Sequence, residues 1–429
     1  MKKILLALTL CVTAGHFAAQ FKITVAVPAE FSSKEAYLYT LDGSKDILNT
    51  KQLRKGNIWS ITVSKPYSGM LRMYFPDTND SVSFISENKD VSLKLTAVND
   101  KITDVEFLDE ANRLMSEFQE LQQKKQYILP ALYQIKEYYK DRTDFGAALN
   151  KEIGKLSENP PSTEKFPFVD FYSTNYNKFV LKEAGKPSVT EKEIQYFLVN
   201  SGDMLETSSL MKPVLISYLN QPSVKKDISK SVDELLAAVN VETPRGQTVL
   251  SELIEIFDLY DMSDMRDKYL ADAKNLKCTI NDRLAATINT NVSTQIGAKF
   301  KDYTFTSATN TKAKSIYGVK ADKKVIIFWA STCSHCEKEI PEILEIYNEL
   351  KKKNVEVIGL SVDSEKDSYT NKIKNLPWIN DAELKGWYSS YAETYNVHAT
   401  PSYFILDADN KIIEKPENAK NVVEYFKFK

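Results

Sequence analysis

Four cysteines in 429 residues are too few to staple a fold together. Cys278 stands alone, Cys11 lies in the first apolar stretch, and only Cys333 and Cys336 form a close pair. Three histidines, His16, His335 and His398, leave little material for an imidazole metal centre. Glycine (13) and proline (15) are too scarce for long flexible linkers. Basic residues (56) do not exceed acidic ones (58), so a nucleic-acid footprint is missing and no nucleic-acid partner is expected. After the first residues no apolar run is long enough to span a bilayer. What is present is ordinary globular composition, 43% hydrophobic and 27% charged. The length exceeds what one hydrophobic core usually serves, so two or three domains are expected.

The start of the chain has the pattern of an export signal. Lys2 and Lys3 precede an apolar run from Ile4 to Ala14, and small residues follow, with Ala19-Gln20 as the expected cleavage point. A signal at 1–19 makes the mature protein soluble and periplasmic, or otherwise extracytoplasmic. A lipid anchor on Cys11 is the weaker alternative, because Leu8-Thr9-Leu10 lacks a small residue directly before the cysteine. Export also explains the cysteine count: one close pair serves chemistry or metal rather than scaffolding.

Three regions follow. Residues 20–105 carry short alternating runs, such as Phe21, Ile23, Val25 and Val27, separated by turn signals at Asp42-Gly43 and Lys55-Gly56-Asn57. They predict an all-β sandwich that acts as an accessory domain. From about 106 the period becomes helical, with Leu108, Ala111, Leu114, Met115, Phe118 and Leu121 on one face and Asp109 as N-cap. Helical patterns then recur at 127–139, 191–199, 205–219, 232–239, 248–259 and 265–276. They are interrupted at 159–161, 185–187, 221–222 and 243–244. Residues 106–290 are therefore predicted as an α-helical domain without a catalytic constellation, and Cys278 near its end as a small buried hydrophobe. From Ile296 to 429 strands return and alternate with helices. Buried strands at 325–329 and 355–362, a helix at 337–350, a helical stretch at 384–395 and a last strand pair at 402–406 and 412–413 predict a C-terminal α/β sheet covered by helices.

Chemistry concentrates in Cys333-Ser334-His335-Cys336, which follows Phe328-Trp329-Ala330-Ser331-Thr332 and opens a helix. A cysteine at a helix N-terminus meets unpaired backbone N–H groups and the helix dipole, which stabilise its thiolate. The second cysteine, one turn on, is placed to attack a mixed disulfide. His335 adds a cation beside the sulfurs that lowers the Cys333 pKa and raises the potential of the couple.

In this context the segment 296–429 resembles the TlpA-like and ResA-like thioredoxins, exported thiol–disulfide oxidoreductases. The matching pieces are Ile296-Gly297, the 328–336 run, Glu339, Pro341, Ile358 to Asp363, Leu376 to Asn380, Gly386-Trp387 and Ala399-Thr400-Pro401. The resemblance implies a thioredoxin fold, a redox-active Cys333–Cys336 disulfide and no cofactor. It implies that Pro401 is the cis-proline facing the pair, with Thr400 offering backbone hydrogen bonds to substrate, and that Trp329, Thr332 and His335 border the substrate site. It also implies that Glu339 exchanges a proton with Cys336, the alternative being a solvated helix glutamate. Ile327 stands where cytosolic thioredoxins carry a buried acid, which moves proton transfer toward Glu339, and Ala399 replaces a frequent glycine. The expected partners are disulfide-containing exported proteins and a membrane thiol electron donor.

A peroxidase needs Ser or Thr three residues before its cysteine, and Ala330 stands there. A c-type haem needs His after the second cysteine, and Glu337 stands there. Copper or another metal on Cys333, Cys336, His335 and His398 is a better rival. A third is a binding protein whose first 290 residues recognise a partner while the redox domain is secondary. The sequence leaves the net direction open between reduction, isomerisation and oxidation.

Overall fold

The computed structural model describes residues 21–139, 143–157, 163–181 and 189–427. The expected signal, Cys11 and the breaks at 159–161 and 185–187 lie outside them. Eight strands come first: β1 (Phe21–Ala26), β2 (Glu35–Asp42), β3 (Lys45–Leu53), β4 (Ile58–Val63), β5 (Ser68–Phe75), β6 (Asp80–Glu87), β7 (Val91–Val98) and β8 (Lys101–Phe107). They pair into two four-stranded sheets, β4-β1-β7-β8 and β3-β2-β5-β6. β1 and β7 run parallel, and all other neighbours are antiparallel. Alternation drives this arrangement. In β4, Trp59, Ile61 and Val63 are buried while Ile58, Ser60 and Thr62 face out. Both sheets contribute to one apolar cluster that includes Val25, Trp59, Leu71 and Phe75. β8 carries strand structure through Phe107, slightly past the expected change of period.

Among the described residues ten α-helices follow: α1 (Glu110–Gln123), α2 (Leu129–Lys136), α3 (Asp144–Ser157), α4 (Pro167–Asn175), α5 (Glu191–Asn200), α6 (Met211–Leu219), α7 (Ile228–Val239), α8 (Pro244–Leu259), α9 (Ser263–Lys274) and α10 (Asp282–Ser293). Caps start them where the sequence offers capping residues. Asp109 accepts from the Asn112 N–H at 2.9 Å, and Thr243 caps α8 ahead of Pro244 at its first position. The helix expected over 205–219 is broken, because Ser209 takes a left-handed φ of 62° and α6 starts only at Met211. α10 extends the helical region past 290. α8 is the central element, with Val249, Leu253, Ile254 and Phe257 all in the core.

The β2–β3 turn locks onto α8. Ser44 donates to Glu252 through its N–H at 2.6 Å and its hydroxyl at 2.8 Å. Gly43 makes this approach possible. It sits at φ +66°, and a Cβ there would fall 2.3 Å from Glu252 Oε1. Glu252 and Glu255 in turn clamp Arg283 of α10, which is 3% exposed, at 3.1 and 2.5 Å.

The C-terminal α/β domain is built from β9 (Lys323–Trp329), α11 (Ser334–Lys352), β10 (Val355–Ser361), α12 (Lys366–Ile373), β11 (Ile379–Ala382), α13 (Ser390–Thr394), β12 (Ser402–Asp407), β13 (Ile412–Glu414) and α14 (Ala419–Tyr425). The sheet order is β11-β10-β9-β12-β13, with the first three strands parallel and β12 antiparallel to both neighbours. The central strand β9 is buried on both faces. Val325, Ile327 and Trp329 enter one core, and Ile326 and Phe328 the other. The segment from Ile296 to β9 contributes only isolated bridges, Lys299 to Lys411, Thr304 to Ser315 and Thr309 to Asn380. The expected helix at 384–395 is a 3-10 turn at Gly386–Tyr388 followed by the short α13. This domain touches the β-rich region. Tyr388 stacks on Tyr74 of β5 with ring centroids 4.2 Å apart, and Glu365 pairs with Lys101 at 3.1 Å. Among the described residues no helix is long and apolar enough to cross a membrane.

Candidate active site

The parallel strands β9 and β10 end side by side, and the site is built on their C-terminal edge. Beyond β9 the chain turns through Ala330, Ser331 and Thr332. Asp363, just past β10, holds that turn. Its carboxylate, 4% exposed, accepts from the Ser331 N–H at 3.0 Å, from the Ser331 hydroxyl at 2.7 Å and from the Ser361 hydroxyl at 2.6 Å. The turn delivers Cys333 to the N-cap of α11.

As N-cap, Cys333 uses its sulfur where a serine would use its hydroxyl. Its Sγ accepts from the Cys336 N–H at 3.3 Å and donates to the Thr400 carbonyl at 3.1 Å. Burial pushes the Cys333 pKa up. Hydrogen bonds from the Cys336 side chain, Thr400 and the backbone N–H groups of Cys336 and His335 outweigh burial and bring it below the ordinary thiol value. The group of His335 that reaches the sulfur is its backbone N–H, while its side chain is exposed. Cys336 is 1% exposed. Burial first, then the hydrogen bond and charge of Cys333, push its thiol up to about 12. Both cysteines are free thiols in this structure. One thiol thus ionises more readily than an ordinary one and the other holds its proton.

Pro401 follows a cis peptide bond and begins the approach to β12. Thr332 is exposed beside Cys333 and Thr400 is half-buried. Trp329 departs from the expectation that it borders substrate. It is 1% exposed and lies in the core with Cys336. As the last residue of β9 it points beneath the sheet, in tilted contact with Tyr369. Gly359 admits it there: a Cβ at 359 would meet the indole nitrogens of Trp329 and Trp378 at 2.9 and 3.3 Å.

Glu339 sits one turn beyond Cys336. It is not a solvated helix glutamate. Its Oε2 accepts from the Ala419 N–H of α14 at 2.8 Å and from the Tyr403 hydroxyl at 3.1 Å. Tyr403 was not singled out from the sequence. It is 2% exposed, shares the apolar cluster of Cys336, and its pKa is raised by burial and by the nearby charges of Glu339 and Cys336. The hydroxyl therefore stands in the field of both the resolving thiol and the carboxylate. Its only signal in sequence is its place two residues after Pro401. Cys278 lies in the helical region, where its Sγ is 3.3 Å from Gln247 Nε2, and it takes no part in the site. Among the described residues no group of three His, Cys, Asp or Glu side chains is placed to hold a metal ion.

Comparison with known proteins agrees with this geometry. Residues 296–415 match the AhpC/TSA family. The thiol-disulfide oxidoreductase ResA of Bacillus cereus is 30% identical over 122 residues, covering 28% of this chain and 69% of that protein. ResA of Bacillus thuringiensis is 33% identical over 102 residues, 23% of this chain and 58% of that protein. Among solved structures, the thioredoxin domain of a thiol-disulfide oxidoreductase from Bacteroides vulgatus is 25% identical and aligns over 31% of this chain and 97% of its own, with a TM-score of 0.28. A helix-capping cysteine pair set against a cis-proline loop, with relatives of that identity and extent, assigns the chain: through its C-terminal domain it belongs to the ResA-type, thioredoxin-like thiol–disulfide oxidoreductases.

Proposed function

We propose that this protein is an extracytoplasmic reductase or isomerase of disulfides in exported proteins, working through Cys333 and Cys336. The observation that carries the reading is the split between the two sulfurs: Cys333 capping α11 with a lowered pKa, and Cys336 buried with its proton held. The Cys333 thiolate attacks a substrate disulfide. A bond forms between Cys333 Sγ and one substrate sulfur, the substrate S–S bond breaks, and the other sulfur leaves as a thiolate. That step removes the negative charge on Cys333, one of the causes holding the proton on Cys336, so the buried thiol becomes more acidic when it is needed. Cys336 then loses its proton toward Glu339 and attacks Cys333 Sγ. The mixed disulfide breaks, the second substrate thiol is released, and two electrons have passed from the dithiol to the substrate. Thr400 and Pro401 support an extended substrate segment by backbone hydrogen bonding, a local form of strand addition. Thr332 and His335, exposed at the rim, border that segment. A membrane thiol donor would return the Cys333–Cys336 disulfide to the dithiol.

Export rests on the Lys2-Lys3 leader pattern at 1–19. The division into a β-sandwich at 20–105, a helical domain at 106–290 and a redox domain at 296–429 is the layout we propose. The first two act as accessory platforms. The AhpC/TSA match does not move the reading toward a peroxidase, since Ala330 stands where a peroxidatic site needs a hydroxyl. The test is trapping. Cys336→Ser in the native host should accumulate mixed disulfides with exported proteins on Cys333. Trapping by Cys333→Ser instead would reverse the roles, and trapping by neither would refute the reading.

A further inference from the structure

The loop that carries Thr400 and Pro401 does not hang free from the redox domain. Asn396, in a left-handed conformation with φ 54°, reaches across to the helical region. Its Nδ2 donates to Asp258 Oδ2 at the end of α8 at 2.7 Å. Its Oδ1 lies 3.0 Å from His398 Nε2. The other Asp258 oxygen accepts from Arg266 of α9 at 2.8 Å, and Arg266 also pairs with Asp267. The Asp258 and Arg266 side chains are 14% and 16% exposed, so this is a shielded corner and not a loose surface pair. On the other side, two residues past His398, the Thr400 carbonyl accepts from Cys333 Sγ at 3.1 Å. A short series of named bonds and five residues of chain thus connects the helical region to the reactive sulfur.

We propose that the α8–α9 corner is a positioning element of the redox site, with Asp258 as its positioning residue: it sets the 396–400 loop so that Thr400 meets both Cys333 and the substrate backbone. The accessory helices then tune substrate binding and thiolate reactivity without touching substrate. The inference rests on the proposed roles of Cys333 and Thr400. A hydrogen bond between side chains of two regions, one of them a charged acceptor, is strong enough to hold a loop in place. It also has a polarity that can be reversed.

The test is a polarity swap in the full-length protein. Asn396→Asp sets two carboxylates against each other. Asn396→Asp combined with Asp258→Asn restores one donor and one acceptor in reverse order. A disulfide-bonded peptide supplies KM and kcat, thiolate absorbance follows the Cys333 titration, and hydrogen exchange follows 396–401. The single Asn396→Asp change should raise KM about tenfold with a smaller change in kcat, shift the Cys333 titration and speed exchange in the loop. The swap should return all three toward wild type. Faster exchange with unchanged KM and titration would overturn the proposal, as would a swap that restores nothing. If Asn396→Asp does not fold, Asp258→Asn alone, which keeps an acceptor but loses its charge, should raise KM and shift the titration; no change in either overturns the proposal. Wild-type protein without turnover would strike the functional reading and the proposal with it, whereas failure confined to the swap strikes the proposal alone.

Discussion

The helical region and the redox domain both bury ionisable groups, and they do so to opposite ends. Around α8 the burial is closed. Arg283 faces Glu252 and Glu255, the Glu252 carboxylate is further satisfied by Ser44, and Thr287 adds a hydroxyl. Every strong charge there has an opposite partner, and the result is a latch between the β-rich and helical regions. Around α11 the burial is left open. Cys336 holds a proton it must lose, Cys333 ionises more readily than an ordinary thiol, and the Tyr403 hydroxyl, bonded to the Glu339 carboxylate, stands in the field of Cys336. Paired burial yields rigidity, while unequal burial of like groups yields reactivity. The same contrast separates the cysteines. Cys278 lies instead beside the neutral Gln247 amide.

The largest effect that bears on this contrast is loss of the first sulfur. Cys333→Ser should reduce disulfide turnover to the uncatalysed rate and leave the unfolding midpoint nearly unchanged, whereas Cys278→Ser should leave both alone. Turnover assays and urea unfolding on the same preparations check this. Substantial turnover in the Cys333 variant would break the assignment of reactivity to the redox domain.

Next comes the latch. Arg283→Ala leaves two buried carboxylates without their cation, and breaking a buried pair on one side costs about 3–5 kcal/mol. Urea unfolding should show that loss while the Cys333 titration stays where it was. A shifted titration with undiminished stability would mean the latch is tuned for chemistry after all.

The third test uses pH on the reduced protein. The thiolate is the alkylating nucleophile, so modification of Cys333 should persist below pH 9 and fade only as pH drops through its lowered pKa. Cys336 should resist until pH approaches about 12. Peptide mapping after iodoacetamide at pH 8 should find Cys333 modified and Cys336 untouched. Linkage has a definite sign here. The folded state keeps the Cys336 proton above the pH at which an unfolded thiol releases it. That contribution to stability is therefore complete below about 9 and is lost as pH rises toward about 12.

Much of this was legible in sequence, and the gaps have physical causes. The pair at 333–336 stood out because a buried strand and an amphipathic helix flank it, both short-range patterns. β4 was legible because its apolar residues alternate, whereas β3 and β8 carry no buried residue and so no alternating signal. α10 escaped because three of the four residues it buries, Arg283, Thr287 and Asn291, are polar and only Leu284 is apolar. Trp329 was misplaced because a strand's last residue has two faces to choose from, and only the packing beside Gly359 decides. Asp363 and Tyr403 matter through partners 32 and 64 residues away, Ser331 and Glu339, contacts that only the folded sheet creates.

The smallest expected effect is also the most selective. Tyr403→Phe removes one hydroxyl and keeps the ring that packs among Trp329, Cys336 and Ile405. Glu339 would keep its bond from the Ala419 N–H, so the carboxylate stays near its place. The Cys333 sulfur gains nothing directly from Tyr403, so mixed-disulfide formation should proceed at its normal rate. Resolution by Cys336 is different, because its proton must leave a buried thiol whose charge the Tyr403 hydroxyl feels, and that hydroxyl is bonded to the carboxylate proposed to take the proton. General acid–base assistance is typically worth 10²–10⁴-fold, and losing one relay group while the base remains should cost less than that, about tenfold. Stopped-flow mixing with a disulfide-bonded peptide would separate the two phases. A slowed second phase with an unchanged first supports the relay, and the loss should deepen as pH falls, where fewer thiols ionise unaided. Equal slowing of both phases would mean that Tyr403 only packs the site, and that the redox domain buries this hydroxyl for the same closed purpose that the helical region buries Thr287.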